Sequence, residues 1–160
     1  TSSVNSPYLS IFFAAQVKNG DRGFLSRDIT VSTMIQNQGD IHHIYPRKFL
    51  KSQGLSRTKY NQIANYAMTQ SEINIAIGAK DPDEYFAEVI KQIETGKLKY
   101  GGIKDERELK KNFEENCIPV SMLKSGVMEY DEFLNERRIL MAMKMKKYFQ
   151  SLGEVEMEQE

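Results

Sequence analysis

The chain has 160 residues, of which 40% are hydrophobic and 28% charged, and its 22 basic and 22 acidic side chains give a net charge of zero. These values describe a soluble protein of about one domain, long enough to bury a core of its own. They exclude a membrane span, because no run of ~18 apolar residues occurs. The N-terminal residues also lack the pattern of a secretory signal, and we expect a cytoplasmic protein.

Cys117 is the only cysteine of the chain. A single thiol excludes a disulfide framework and any zinc knuckle that needs two or more cysteines. We expect Cys117 to be a small core residue. The sequence opens on Thr1 rather than on methionine, which suggests a processed start or a fragment of a longer protein.

Residues 1–38 are predicted to be mainly helical. Ser6 and Pro7 are typical of a helix start, and Gly20 is typical of a helix end. The segment between them is apolar enough to belong to the core. Residues 29–35 are rich in β-branched side chains but short, so their pattern does not decide between helix and strand.

Residues 39–80 are predicted to form a strand, a loop, a second strand and a helix. The first strand, DIHHI, ends at Pro46, which fixes its own backbone and donates no hydrogen bond. Residues 47–54 indicate a brief helix, and residues 63–69 a second strand. Thr69 and Glu72 have the spacing of a capping box, which would start a short helix that ends at Gly78.

Residues 82–152 are predicted to be helical. Asp81 and Asp105 are suitable caps for two helices, and the acids after Asp81 suit the first turns of a helix better than a metal site. From Tyr130 to Leu152 an apolar stripe predicts a long helix whose methionines pack in the core. The predicted fold class is therefore α+β, mostly helical, with a small hairpin-plus-helix unit embedded between helices.

A local basic segment lies within the neutral chain. Residues 41–71 contain five basic side chains and no acidic one. On charge alone, a solvated surface explains this segment as well as a nucleic-acid contact does. The segment starts at the two histidines of the chain, His42 and His43, and this placement favours contact with a phosphate backbone.

The middle unit also holds polar residues that suit phosphodiester hydrolysis. A hairpin followed by a helix brings together His43 in the first strand, Asn65 beside the second strand, and Asn74 in the helix. A neutral imidazole accepts a proton from water near pH 7, and a second group with lone pairs can hold a cation against the phosphate. Nearby basic side chains can position the backbone.

The segment GDIHHIYPRKFL, followed by YNQIANYAMTQSEINIAIGAKDPDEYF, resembles the HNH (ββα-metal) endonuclease motif. It is similar, more narrowly, to the C-terminal HNH domains of bacterial proteins with an N-terminal ParB-like nuclease domain, several of which act in defence against foreign DNA. The resemblance is strong over about residues 39–86 and looser on both sides. It implies one HNH-type nuclease domain over residues 1–160, with its core motif at about 39–80, and a ParB-like domain upstream in the full-length protein.

The resemblance also implies a role for each site residue. His43 matches the general base that activates water, and Asn65 matches the residue that braces the loop through hydrogen bonds. His42 and Asn74 match metal-binding positions, and Asp40 is a further candidate ligand. The implied cofactor is a divalent ion, magnesium or manganese first, with nickel and zinc as alternatives.

The implied reaction is hydrolysis of DNA by water that His43 deprotonates. The candidate DNA contacts are Arg47, Lys48, Lys51, Arg57, Lys59 and Lys80. Three tyrosines among them, Tyr45, Tyr60 and Tyr66, suit base stacking but fit the core better. Because neighbouring strand residues face opposite sides, His42 and His43 enter one site only if the strand kinks near Pro46.

Two other classes of function fit the same residues. One is a catalytically inactive nucleic-acid-binding module within a larger protein, which would tolerate loss of His43 but not loss of the basic side chains. The other is a purely structural helical domain, which would bind neither nucleic acid nor metal.

Overall fold

The computed structural model describes residues 4–157, with side chains described through residue 154. The described chain is mostly helical and contains a two-stranded antiparallel sheet, which confirms the expected α+β class. The helices are α1 (Pro7–Asn19), α2 (Val31–Gln36), α3 (Arg47–Ser52), α4 (Arg57–Tyr60), α5 (Ser71–Ile77), α6 (Pro82–Thr95), α7 (Glu106–Glu115), α8 (Met122–Ser125) and α9 (Tyr130–Met157). The strands are β1 (Asp40–His43) and β2 (Tyr66–Thr69), and a 3₁₀ turn covers Ile63–Asn65. Within residues 4–157, none of the helices combines the length and apolar character that a membrane crossing requires.

Three predicted helix starts are confirmed. Helix α1 begins at Pro7 and ends before Gly20, whose φ of 68° lies in the left-handed region that favours glycine. Asp81 caps α6 by accepting a hydrogen bond from the backbone N–H of Asp83 (2.9 Å). Asp105 caps α7 in the same way, with the N–H of Glu108 as donor (2.8 Å). Each cap is a contact between residues close in sequence, so local patterns suffice to predict it.

The predicted capping box at the start of α5 is wrong. The residue that precedes α5 is Gln70, and it makes no side-chain cap. Thr69 is fully buried, and its hydroxyl donates instead to the carbonyl oxygen of Phe24 (2.8 Å). The side chain that the local pattern assigned to helix capping therefore makes a tertiary hydrogen bond instead.

The middle unit is an antiparallel hairpin with a helix packed beside it. Asp40 pairs with Thr69 at one end of the sheet, and His43 pairs with Tyr66 at the other. The first part of the predicted second strand, residues 63–65, is a 3₁₀ turn instead. Helix α5 follows β2 closely in the chain and contacts β1, which places it beside the first strand.

The core lies between this unit and the surrounding helices. The three tyrosines of the basic segment, Tyr45, Tyr60 and Tyr66, are buried, as is Cys117. In α9, Leu134 and Met141 are buried as predicted. Leu152, at the end of the same predicted stripe, is exposed, because the core does not extend along the whole helix.

Candidate functional site

His42 lies in β1 and faces α5. Its ring Nδ1–H donates to the amide oxygen of Asn74 across 2.6 Å, a contact between residues 32 positions apart. The ring also lies nearly parallel to the ring of Phe24, with centroids 6.2 Å apart and an angle of 13°. The hairpin and the helix together therefore hold this imidazole in place.

His42 is neutral at pH 7 in this environment. Its side chain is only 4% exposed, and burial lowers its pKa to about 4, although the hydrogen bond with Asn74 opposes the shift. The second ring nitrogen, Nε2, is buried and has no hydrogen-bond partner among the described residues. A neutral imidazole is the protonation state that binds metal ions.

His43 is half-buried and has a different set of neighbours. Its Nε2 lies 2.9 Å from the amide oxygen of Asn61. The rings of His43 and Tyr66 make an edge-to-face contact, with their centroids 5.0 Å apart. The centroid of the Tyr60 ring lies 6.3 Å from that of His43. Burial lowers the pKa of His43, the hydrogen bond with Asn61 opposes the shift, and the positive charge of Arg47 adds to it.

The two histidines thus belong to opposite faces of β1. His42 packs against Phe24 and Asn74, whereas His43 packs against its cross-strand neighbour Tyr66. This division follows from the alternation of side chains along a strand. The structure brings His42 together with Asn74, and it places His43 in a separate cluster of side chains.

Asp40 lies on the same face of β1 as His42, two residues earlier. Its carboxylate accepts a hydrogen bond from the hydroxyl of Ser71 (2.9 Å), which is the first residue of α5. Its negative charge acts on His42 to favour the protonated ring. Asp40, His42 and Asn74 therefore gather where β1 meets α5.

These three side chains offer a carboxylate, an imidazole and an amide oxygen. Among the described residues, no three histidine, cysteine, aspartate or glutamate side chains are close enough together to hold a metal ion. A mixed set of this kind fits an ion that keeps several of its own waters, as magnesium does. The hydrogen bond places Nδ1 of His42 and the amide oxygen of Asn74 side by side. A cation held by both atoms would require the ring proton to move to Nε2, which has no other partner among the described residues.

Asn65 is fully buried and holds the loop after β1. Its amide oxygen accepts from the backbone N–H of Tyr45 (2.8 Å), and its amide nitrogen donates to the carbonyl oxygens of Tyr45 (3.1 Å) and Tyr60 (3.2 Å). Its own carbonyl oxygen accepts from the N–H of Ile44 (2.9 Å). Asn65 therefore stabilises the backbone that directly follows His43.

The basic side chains of residues 41–71 are all exposed. Arg47, Lys48 and Lys51 belong to α3, and Arg57 and Lys59 to α4, and the two helices contact each other. Lys59 also borders a polar pocket of about 310 Å³ that Arg138 lines from α9. We name the exposed side chains of α3 and α4 the basic surface.

Lys80 does not belong to the basic surface. Its ammonium group donates to the carbonyl oxygen of Ala76 (2.9 Å) and to the hydroxyl of Tyr100 (2.7 Å), and it lies 3.5 Å from the carboxylate of Glu88. These contacts link Lys80 to α5, to α6 and to the loop before α7. It is therefore a poor candidate for a phosphate contact.

Asn61 is the site residue that the sequence analysis missed. It follows α4 directly, and its amide contacts the ring of His43. The available signal was a second asparagine four residues before Asn65, in the stretch YNQIANY. That spacing does not indicate a shared strand face, because a 3₁₀ turn at Ile63–Asn65 lies between Asn61 and β2.

A second feature is an apolar groove of about 710 Å³, and neither histidine is among the described residues that line it. Phe13 and Val17 line it from α1, and Ile41 and Met68 line it from the sheet. Ile41 lies between Asp40 and His42 in β1 and faces the opposite side of the strand, so the groove and the cluster of Asp40, His42 and Asn74 lie on different faces of the hairpin.

In comparisons with known proteins, the chain matches no protein-family model, no curated protein and no solved structure.

Proposed function

We propose that this chain is a metal-dependent endonuclease domain of the HNH type that hydrolyses DNA phosphodiester bonds. The observation that carries the proposal is the contact between His42 of β1 and Asn74 of α5, the two positions that the motif resemblance assigns to metal binding. Their sequence separation is 32 residues, and a hairpin followed by a helix joins them.

In this proposal, His42 and Asn74 hold a divalent cation, with Asp40 as the third candidate ligand. When bound, the ion supplies positive charge for the transition-state phosphate and for the departing oxygen. The low pKa of His42 keeps its imidazole neutral and available at pH 7. Magnesium or manganese is the expected ion, and nickel or zinc would also accept the imidazole nitrogen.

His43 is the proposed general base. Burial and the charge of Arg47 lower its pKa, so the ring is neutral at pH 7 and able to accept a proton from water. Asn65 holds the backbone of Tyr45, two residues after the base, and the carbonyl oxygen of Tyr60, whose ring lies 6.3 Å from the ring of His43. Asn65 is therefore a positioning residue in this scheme and takes no part in proton transfer.

The basic surface is the proposed DNA contact. It carries five exposed positive side chains on α3 and α4, and α3 begins four residues after His43. Contacts to phosphates from such side chains set the position of the duplex without reading its sequence. Lys80 is left out because Glu88 and Tyr100 already engage it.

The test of this proposal is cleavage of supercoiled plasmid with Mg²⁺, Mn²⁺, Ni²⁺ or EDTA. We expect metal-dependent nicking by the wild type, and a decrease of roughly 10²–10⁴-fold in His43→Ala through loss of the base. Asn74→Ala should lose cleavage at low metal concentration, whereas Asn74→Asp, the matched control, keeps an oxygen ligand. Equal nicking by the wild type and His43→Ala would assign the activity to another site or to a contaminant.

The second candidate function is a DNA-binding module without catalysis. The observation that favours it is the separation of His42 and His43 onto opposite faces of β1, each with its own neighbours. This candidate predicts that wild type and His43→Ala shift DNA equally in a gel and that neither cuts it. If DNA cleavage appears when an upstream domain is added, the nuclease proposal is again the better explanation.

The wider setting is also part of the proposal. By the motif resemblance, the chain is the C-terminal part of a bacterial protein with a ParB-like domain upstream, and it acts in the cytoplasm against foreign DNA. Expression of that longer protein in cells challenged with phage, with His43→Ala as the control, tests this setting. Equal phage growth in both would contradict a defence role.

A further inference from the structure

The ring of His43 has one side-chain hydrogen-bond partner that the motif resemblance does not assign. The amide oxygen of Asn61 lies 2.9 Å from Nε2 of His43. An amide oxygen only accepts hydrogen bonds, so Nε2 must carry the proton and donate it. In a neutral ring this leaves the lone pair on Nδ1.

The surroundings of Asn61 fix its amide in place. The residue directly follows α4, and its backbone N–H donates to the carbonyl oxygen of Arg57 (3.0 Å). Its neighbour Tyr60 is buried, with its ring 6.3 Å from the ring of His43. Because an asparagine side chain is short, the position of its oxygen follows closely from this backbone.

Tyr66 fixes the ring from another direction. Its ring makes an edge-to-face contact with His43, with centroids 5.0 Å apart and an angle of 79°. Such a contact restricts rotation of the imidazole but does not select which nitrogen is protonated. The hydrogen bond with Asn61 supplies that selection.

We propose that Asn61 is a positioning residue for His43, one that holds the Nε2–H tautomer and leaves Nδ1 as the atom that accepts the proton. This inference deepens the proposed nuclease function and rests on it for its catalytic part. In the reaction, an O–H bond of water breaks and its proton goes to Nδ1, while the water oxygen forms a bond to phosphorus. The bond from phosphorus to the leaving oxygen breaks, that oxygen takes a proton from solvent, and His43 later releases its proton to solvent.

The direct test is the tautomer of His43, read from ¹⁵N–¹H correlations of its ring in metal-free protein above pH 8. The chain has only two histidines, so His43→Ala assigns both rings. We expect the Nε2–H form in the wild type, a mixture of tautomers in Asn61→Ala, and an unchanged His42 ring in both. Asn61→Asp, which keeps an oxygen acceptor, should retain the wild-type form. An Nδ1–H ring in the wild type, or an unchanged ring in Asn61→Ala, would overturn the inference.

The kinetic test separates positioning from binding. We expect Asn61→Ala to lower kcat by roughly 10–100-fold, the range known for groups that orient a functional imidazole, with KM changed less than about twofold. Asn61→Asp should recover most of this loss. The matched control is Asn135→Ala, since Asn135 is an exposed asparagine on α9. A wild-type kcat in Asn61→Ala, with cleavage still dependent on His43, would overturn the catalytic part of the inference.

The two tests also distinguish this inference from the proposed function. If no protein cleaves DNA but the tautomer changes as expected in Asn61→Ala, the nuclease proposal fails and the positioning of His43 by Asn61 stands. If the wild type cleaves and His43→Ala does not, while Asn61→Ala changes neither tautomer nor kcat, the inference fails and the nuclease proposal stands.

Discussion

The side chain of Asn65 and the backbone of Tyr45 form a reciprocal pair of hydrogen bonds. The N–H of Tyr45 donates to the amide oxygen (2.8 Å), and the amide nitrogen donates back to the carbonyl oxygen of Tyr45 (3.1 Å). This pair joins the loop after β1 to the turn before β2 and thereby completes the hairpin without a regular tight turn. Because both partners are buried, neither has water as a substitute.

Replacement of Asn65 by alanine is expected to destabilise the fold. The change removes the partners of a buried N–H and of the carbonyl oxygens of Tyr45 and Tyr60, at roughly 2–4 kcal/mol in the free energy of unfolding. Urea denaturation followed by circular dichroism measures the change. Asn135→Ala, at an exposed position, is the control and should stay within about 0.5 kcal/mol of the wild type. An Asn65→Ala protein of wild-type stability would contradict the assigned role.

Arg137 provides a second test of stability. Its guanidinium is fully buried and donates to the carbonyl oxygens of Ala64 (2.8 Å) and Asn116 (3.1 Å), over the ring of Phe12. Burial lowers its pKa to about 10, so the group is still charged at pH 7. We expect Arg137→Ala to lower the free energy of unfolding by roughly 3 kcal/mol or more, because two buried carbonyl groups lose their donors and a cavity remains.

The adjacent Arg138 is the matched control for that variant. Its side chain is exposed and bonds to Asn135 and Gln62. Arg138→Ala should change the free energy of unfolding by less than about 0.5 kcal/mol. If Arg137→Ala and Arg138→Ala have the same urea midpoint, the buried hydrogen bonds of Arg137 do not stabilise the fold as expected.

The stability of the metal-free protein is expected to depend on His42 below neutral pH. Burial lowers the pKa of His42 to about 4, while in the unfolded chain the ring titrates near 6.5. The unfolded state therefore binds more protons as the pH falls, and unfolding becomes easier. This contribution is fully present above pH ~6.5 and decreases by roughly 3 kcal/mol as the pH falls to about 4.

The check on His42 is urea denaturation in EDTA at several pH values between 7 and 4. His42→Gln lacks the titrating ring, so its free energy of unfolding should fall less than that of the wild type over this interval. The difference between the two slopes isolates His42 from the carboxylates that titrate in the same range. Parallel curves would show that the ring is not buried in its neutral form.

Binding of DNA to the basic surface is expected to depend strongly on salt. Replacement of Arg47, Lys48 and Lys51 by glutamine should weaken binding and reduce the slope of log Kd against log salt concentration by about 2–3. Each lost phosphate contact lowers the slope by about one or slightly less, because about one fewer counterion is released from the DNA on binding. Fluorescence anisotropy with a labelled duplex measures this slope at several salt concentrations.

A triple variant on α7 and the loop before it controls for total charge. Lys104, Lys110 and Lys111 are also exposed, and their replacement by glutamine lowers the net charge by the same amount. This variant should keep the wild-type slope. If the two triple variants reduce the slope equally, DNA contact is not confined to α3 and α4.

Local sequence patterns predicted much of the secondary structure. The starts at Pro7, Asp81 and Asp105 are confirmed. Asp81 and Asp105 cap their helices by accepting hydrogen bonds from backbone N–H groups within three residues, and Pro7 has the backbone geometry of a first helical position. The burial of Tyr45, Tyr60 and Tyr66 is also confirmed. The order of strand, strand and helix followed from turn residues and polar–apolar spacing, which are local as well.

The partners of the polar side chains were decided only by the tertiary structure. Thr69 has the spacing of a helix cap, but its hydroxyl donates to the carbonyl oxygen of Phe24. The sequence indicates a solvent-exposed positive charge at Lys80, but the ammonium group contacts Glu88 and Tyr100. Asn61 contacts His43 across 18 positions. Each of these contacts depends on which segments pack together, and the periodicity of the sequence does not indicate which segments do so.

His42 and His43 show the division most clearly. The sequence determined that they are adjacent in a short strand, and strand geometry required them to face opposite sides. Which face meets α5 and which meets the turn after α4 depended on the packing of segments up to 32 residues away. A single-residue shift in the strand register would exchange the two environments, and the buried contacts on both faces are what fix that register.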